Sequence, residues 1–281
     1  MQQYKLTGEH LSAFGRFLLT EERSAGTIDK YMRDVRAFFL WLDGRAVTKD
    51  LTVEWKSHLL AKDYAPVTVN GMLSALNGLF KFLGWNECRV RFLKIQRKLF
   101  QDTRRELTRR EYERLLAAAK EMGRGRLALL METICATGIR VSEVRYITVE
   151  TARSGRAQIS LKGKIRVILL PRKLCRKLLK YAKTKKILSG KIFLTRKGQE
   201  LGRRQIWAEM KQLCAVTGVA PSKVFPHNLR HLFATLFYKA CKNIVQLADV
   251  LGHSSIETTR IYLLTSGTEH IRQMERLGLV T

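Results

Sequence analysis

The sequence predicts a mostly α-helical chain with a small β-sheet in its second half. Three observations carry this. Apolar residues recur at three- and four-residue steps along much of the chain, one short stretch from Ile159 to Leu169 alternates instead, and proline and glycine mark several boundaries.

In the first part, Ile28, Tyr31, Met32, Val35, Phe38, Phe39 and Leu42 line one helical face, and Val69, Met72, Leu73, Leu76, Phe80 and Leu83 line another after Pro66. Weaker helices near residues 7–20 and 50–62 complete a four-helix domain ending around Trp85. From Arg89 to Arg105 the chain loses periodicity and is strongly basic, as an interdomain linker would. The second part opens at Thr108 with T-R-R-E, a capping box before Leu115 and Leu116. A helix through L-A-L-L-M-E-T-I-C-A should then stop at Gly138. Ile159 and Leu161, then Ile165, Val167 and Leu169, alternate with polar residues on either side of K-G-K, which predicts a β-hairpin with Lys162 and Lys164 at its turn. Pro171 starts another helix (Leu174, Leu178, Leu179), I-F-L-T from Ile192 reads as a short strand, and helices follow to the C-terminus.

A chain of 281 residues, 46% of them hydrophobic, can build two cores. Its charge points to a partner. Lysine and arginine number 52 against 24 acidic residues, a net charge of +28, and 36 of the basic residues but only 14 of the acidic ones follow residue 100. An excess this large exceeds what a solvated surface needs and suits a polyanion, nucleic acid above all. An anionic membrane surface would call for an amphipathic anchor, which is not evident, and no apolar run of about 18 residues predicts a membrane span. The N-terminal segment is broken by Glu9, His10 and Arg16 where a signal peptide would be apolar. Five scattered cysteines (Cys88, Cys135, Cys175, Cys214, Cys241) form no C-x-x-C pair, so neither a disulfide framework nor a cysteine zinc site is expected, and a cytoplasmic setting is the simplest.

The stretch H-N-L-R-H-L-F-A-T, starting at His227, places a charged arginine between two histidines on an otherwise apolar helix. Residues three and four apart share a face, so His227, Arg230 and His231 project together. A zinc site would use two histidines at this spacing, but Asn228 stands where H-E-x-x-H has its glutamate and Arg230 would set a cation beside the metal. Core histidines satisfied by hydrogen bonds are the ordinary alternative. An arginine on that face is costly to bury unpaired, whereas its planar fork matches a phosphate. Arg140, in A-T-G-I-R-V-S-E-V, follows a helix-stopping glycine that can turn it into a cleft; alone it would pass for a surface residue. Likewise Tyr262, in E-T-T-R-I-Y-L-L, would alone be read as core, and His253, in L-G-H-S-S, as a residue past a helix end.

Taken together, A-T-G-I-R-V-S-E, H-N-L-R-H-L-F-A-T and L-G-H-S-S-I-E-T-T-R-I-Y closely resemble, in order and spacing, the signature boxes of the tyrosine recombinases, the phage integrase family. The resemblance covers residues 106–281. It implies a tyrosine-recombinase catalytic domain there, a helical core-site DNA-binding domain over residues 1–88, and a basic linker over 89–105. It further implies Arg140 and Arg230 as a phosphate-clamping pair, His227 and His253 as the other box members, and Tyr262 as the nucleophile. The family also uses a lysine on a hairpin turn. Here L-K-G-K-I-R shortens the usual G-K-G-x-K-x-R: aligning on K-G selects Lys162, aligning on the residue two before Arg166 selects Lys164. By its position Glu143 should orient Arg140 or cap a helix, and His231 should support rather than react.

This set makes chemical sense. Two arginines can neutralise the nonbridging oxygens of a DNA phosphodiester and stabilise the charge added in the transition state, so no metal is expected. A free phenol titrates near about 10, so Tyr262 needs those cations and a nearby imidazole. A lysine ammonium can protonate the departing 5′ oxygen. The 3′-phosphotyrosine link retains the bond's free energy, and the chain lacks a G-x-x-x-x-G-K-[ST] loop, so no ATP is expected either. The implied partners are double-stranded DNA with specific recombination sites, three further copies in a homo-tetramer, and accessory DNA-bending proteins. Ile271, Met274 and Leu277 lie at helical spacing after the tyrosine and would dock on a neighbouring subunit. A type IB topoisomerase-like nicking-closing enzyme would use the same chemistry on one duplex, and a non-catalytic DNA-binding protein on this fold would have no use for the tyrosine.

Overall fold

The computed structural model describes residues 3–96, 105–161, 164–262, 271–272 and 275–278, with the backbone alone for Leu161 and Lys164. The chain divides into two compact units, residues 1–97 and 98–281.

The first unit is built from α1 (Gly8–Thr20), α2 (Ala25–Leu42), α3 (Lys49–Ala61) and α4 (Pro66–Leu83). Thr7 and His10 form a capping box on α1, Thr48 caps α3, and Pro66 occupies the first turn of α4, where its missing N–H costs nothing. The apolar stripes of the four helices meet in one core, with Phe38 edge-on to both Trp55 and Phe80 at centroid distances of 5.6 and 6.0 Å. Past the helices, the chain from Arg89 to Leu93 follows α4: Asn77 both donates to and accepts from the Val90 backbone at 2.9 Å, and Asn70 does the same for Leu93. The second half of the basic segment, residues 97–104, lies outside the described residues.

The second unit contains α5 (Arg109–Glu121), α6 (Gly125–Thr137), α7 (Val149–Ser154), β1 (Arg156–Leu161), β2 (Lys164–Leu169), α8 (Arg172–Thr184), α9 (Arg203–Lys211), α10 (Cys214–Thr217), α11 (Pro226–Cys241), α12 (Ile244–Leu251) and α13 (Ile256–Arg260). The predicted capping box closes on both sides, Glu111 N–H to the Thr108 hydroxyl and Thr108 N–H to the Glu111 carboxylate. Gly138 ends α6 with φ +65°, and a side chain there would strike the Phe233 ring. Residues 141–146 follow as a 3₁₀ helix.

β1 and β2 pair antiparallel, as the alternation predicts, but the inward face of β2 differs from the expected one. Ile168 is buried at 3% exposure, whereas Ile165, Val167 and Leu169 are 68, 55 and 73% exposed. The register sets Arg166 opposite Ile159 and Ile168 opposite Ala157, and both β1 partners are buried. Arg166 therefore points inward with them. The strand predicted from Ile192 is also absent. Ile192 and Phe193 are buried between isolated bridges at Lys191 and Leu194, and the chain turns back at once through Gly198, so no ladder extends.

The five cysteines are free. No described helix is long and apolar enough to cross a membrane. Of the tail, Ile271 and Leu277 are exposed and Met274 lies outside the described residues.

Candidate active site

The site begins with the turn at Gly138. Its carbonyl, freed by the helix ending, accepts a hydrogen bond from Arg230 Nη1 on α11. Two residues on, Arg140 precedes the 3₁₀ helix with its side chain 41% exposed. Glu143, 2% exposed, accepts from the Arg140 backbone N–H at 2.7 Å and from Arg140 Nη1 at 3.0 Å, so it does orient that arginine. The oxygen that takes the backbone N–H, Oε2, also accepts from Arg166 Nη2 at 2.6 Å. One buried carboxylate thus serves two guanidiniums from separate elements, which suits its low exposure because a buried charge needs matched partners.

Arg166 also donates through Nη1 to the Leu251 carbonyl at the end of α12, and Arg230 Nη2 donates to the same carbonyl at 2.9 Å. The carbonyl end of a helix carries the negative end of its dipole, so it is a suitable seat for two cations. Arg230 is buried at 2% exposure, and its third bond runs to His253 Nε2 at 2.8 Å. Desolvation lowers its pKa to about 10, and repulsion from Arg140 adds to that. Arg166 is lowered too, again by burial first.

Beyond α12, Gly252 (φ +64°) reverses the chain beneath the Arg166 side chain and presents His253. Tyr262, 4% exposed, packs with Ala234, Leu247 and Leu251. Its ring is parallel to that of His253 (centroids 6.0 Å apart, planes 10° apart) and meets the edge of His231 at 4.6 Å. The imidazoles of His231 and His253 are both pushed down to about 4 by burial, helped at His231 by the charge of His227 and at His253 by Arg230 and Arg140. Both are therefore neutral near pH 7. His227 is exposed at the rim of the site, and partial desolvation there, then Arg230 and Arg140, hold it below the ordinary histidine value.

Arg140, His227 and Arg230 open on a cleft of about 460 Å³ whose opposite wall carries Arg203, Arg204 and Trp207 of α9. The structure thus brings Arg140, His227 and Arg230 to one cleft, and Arg230 bonds His253, whose ring lies parallel to that of Tyr262. Lys162 lies outside the described residues, and of Lys164 only the backbone is placed, at the first position of β2. Among the described residues no three histidine, cysteine or acidic side chains come together as a metal site would require. The H-N-L-R-H histidines stand 6.4 Å apart, edge to face. Asn228, between them, is buried and donates to the carbonyls of Arg105 and Lys223 at 2.7 and 2.8 Å, tying down the start of α11.

The profile of the phage integrase family matches residues 105–267, and that of the phage integrase N-terminal SAM-like domain matches residues 11–87. Over its whole length the chain is 30% identical to the tyrosine recombinase XerA of Pyrococcus furiosus, of which it covers 98%. The chain belongs to the phage integrase family. It is a tyrosine recombinase, the class of enzymes that recombine DNA at specific sites. Its fold is similar to that of the XerH site-specific recombinase bound to its difH substrate (TM-score 0.68, 22% identity, 90% of this chain and 78% of that one). It is also similar to the lambda integrase tetramer bound to a Holliday junction (TM-score 0.73, 18% identity, 93% and 78%).

Two features of the site went unread in the sequence. Arg166 served there only as a landmark for aligning the lysine, although an arginine inside an apolar strand is itself a sign of a buried acid. The α9 wall carries no recognised box, yet R-R-Q-I-W, with two arginines and a tryptophan within five residues, is a basic and aromatic cluster of the kind that meets nucleic acid.

Proposed function

We propose that this chain cuts and rejoins double-stranded DNA at specific sites through a 3′-phosphotyrosine link made by Tyr262. The observation that carries the reading is the surrounding of Tyr262: two neutral imidazoles against its ring, one of them, His253, hydrogen-bonded to the buried Arg230. In this reading the phosphodiester enters the cleft, and Arg140 and Arg230 hold its nonbridging oxygens. His227 and His253 complete the contacts and share the proton of the phenol. The Tyr262 oxygen bonds to phosphorus, the bond to the 5′ oxygen breaks, and Lys162 protonates that oxygen. Because the new ester retains the energy of the old one, a 5′ hydroxyl from another strand reverses the step without ATP or a metal ion.

The two units, over residues 1–88 and 106–281 with the basic linker of 89–105 between them, would hold duplex DNA. Excess positive charge in the second unit supports phosphate binding there. Four copies would join two sites, as in the lambda integrase tetramer bound to a Holliday junction, with accessory DNA-bending proteins setting direction. An enzyme acting on chromosomal DNA in this way would work in the cytoplasm.

The test is a nicked duplex carrying the target site, taken from DNA flanking the gene, which traps cleavage as a covalent adduct on a denaturing gel. Wild type should form it and Tyr262→Phe should not, with DNA affinity unchanged. No adduct despite tight, specific binding would move the chain to the non-catalytic binders. Adduct formation with relaxation of supercoils, but no joining of two sites, would make it a nicking-closing enzyme.

A further inference from the structure

The hydroxyl of Thr259, on α13, meets the imidazole of His253. The residue is fully buried at 0% exposure, and its Oγ1 lies 2.8 Å from His253 Nδ1. A threonine inside a helix ordinarily satisfies its hydroxyl on the carbonyl four residues back. Thr259 instead reaches a side chain six residues back. The other nitrogen of that ring, Nε2, is 2.8 Å from Arg230 Nη2.

Donor and acceptor roles follow from the chemistry of the partners. A guanidinium offers only donors, so Nε2 has to accept. A neutral imidazole carries one proton, which then belongs on Nδ1, and the threonine oxygen is its acceptor. The same threonine also fixes the backbone that bears the nucleophile, because its carbonyl accepts the Tyr262 N–H at 3.0 Å.

We propose that Thr259 is a positioning residue that locks His253 in the Nδ1–H tautomer, with Nε2 bare toward the arginine and the ring held parallel to Tyr262. This rests on the reading of His253 as part of the site. In the resting protein Nε2 is then a proton acceptor and never a donor. With the hydroxyl gone, Nδ1 loses its acceptor, the ring is free to carry its proton on Nε2, and that proton would face the N–H of Arg230.

The test begins with the wild-type full chain, labelled with ¹⁵N at histidine, near pH 7. The His253 resonances, assigned with His253→Gln, should show a protonated Nδ1 and a bare Nε2; the opposite tautomer overturns the proposal. Thr259→Val, which keeps the branched shape, should shift the signal toward Nε2–H and slow cleavage of a nicked site roughly 10- to 100-fold, the range for partners that orient a histidine. Its affinity for the site should hold. Thr259→Ser should restore both tautomer and rate. A Thr259→Val protein with unchanged spectrum and rate also overturns the proposal. If that variant fails to fold, the wild-type spectrum decides. The spectrum needs no turnover, so a wild type that makes no adduct would sink the catalytic reading and leave the tautomer standing or falling by itself.

Discussion

The two units bury polar side chains for different ends. In the first, Asn70 and Asn77 sit on one helix and hydrogen-bond the backbone of Val90 and Leu93, so they act as a substitute strand for the departing chain. In the second, the carboxylate of Glu143 takes the guanidiniums of Arg140 and Arg166, and Arg166 and Arg230 meet on the carbonyl of Leu251. An amide paired with backbone leaves no charge to balance, whereas two guanidiniums sharing one carboxylate leave a net positive charge, ready for an anion. Buried polarity in the first unit is finished architecture; in the second it is completed by what binds.

That contrast can be broken by substitution. The largest effect is expected from Glu143→Gln, which strands two arginines: about 3–5 kcal/mol of stability for breaking a buried pair, read by urea unfolding. Arg230→Lys keeps the charge and loses the fork, so cleavage in a single-turnover assay should fall about 100- to 1,000-fold while site affinity stays. Wild-type rate in that variant would mean that charge alone suffices. Asn77→Ala should cost about 1–3 kcal/mol in unfolding and leave the chemical step at its normal rate. Were it to slow cleavage as Arg230→Lys does, the division between the units would fail. Thr108→Ala removes a helix cap on α5 and should cost about 1 kcal/mol.

The contrast is also sharpened through pH. His231 and His253 titrate near about 4 in the folded chain, against an ordinary 6.5. As pH falls below about 6.5 the unfolded chain therefore takes up protons before the folded one does. Stability is lost across that window and levels off near about 4. Melting temperature should be lower at pH 5 than at pH 7.5, and His231→Phe should flatten the difference; equal slopes in both proteins would count against it.

Much of this was legible in the sequence. The helices of the first unit follow from apolar spacing because each presents a single stripe to a single core. The capping box at Thr108 and the stop at Gly138 were readable because local chemistry sets them. The phase of β2 was not, since V-I-L-L is apolar at four successive positions and fits either face; the burial of Ile168 and the partners of Arg166 decide it. The strand at Ile192 failed for a related reason, as burial and β-branching cannot supply a neighbouring strand. The boxes named Arg140, His227, Arg230, His253 and Tyr262, but nothing in them says that His231 lies closer to the Tyr262 ring than His253 does.

The reversal at Gly252 has an evolutionary consequence. The Arg166 side chain passes over its α-carbon so closely that any side chain there would occupy the same space. Positions 166 and 252, distant in the chain, thus share one space, and a side chain at 252 needs a shorter residue at 166. Sequences of close relatives should show glycine at 252 wherever arginine stands at 166, and freedom at 252 only where the arginine has been given up.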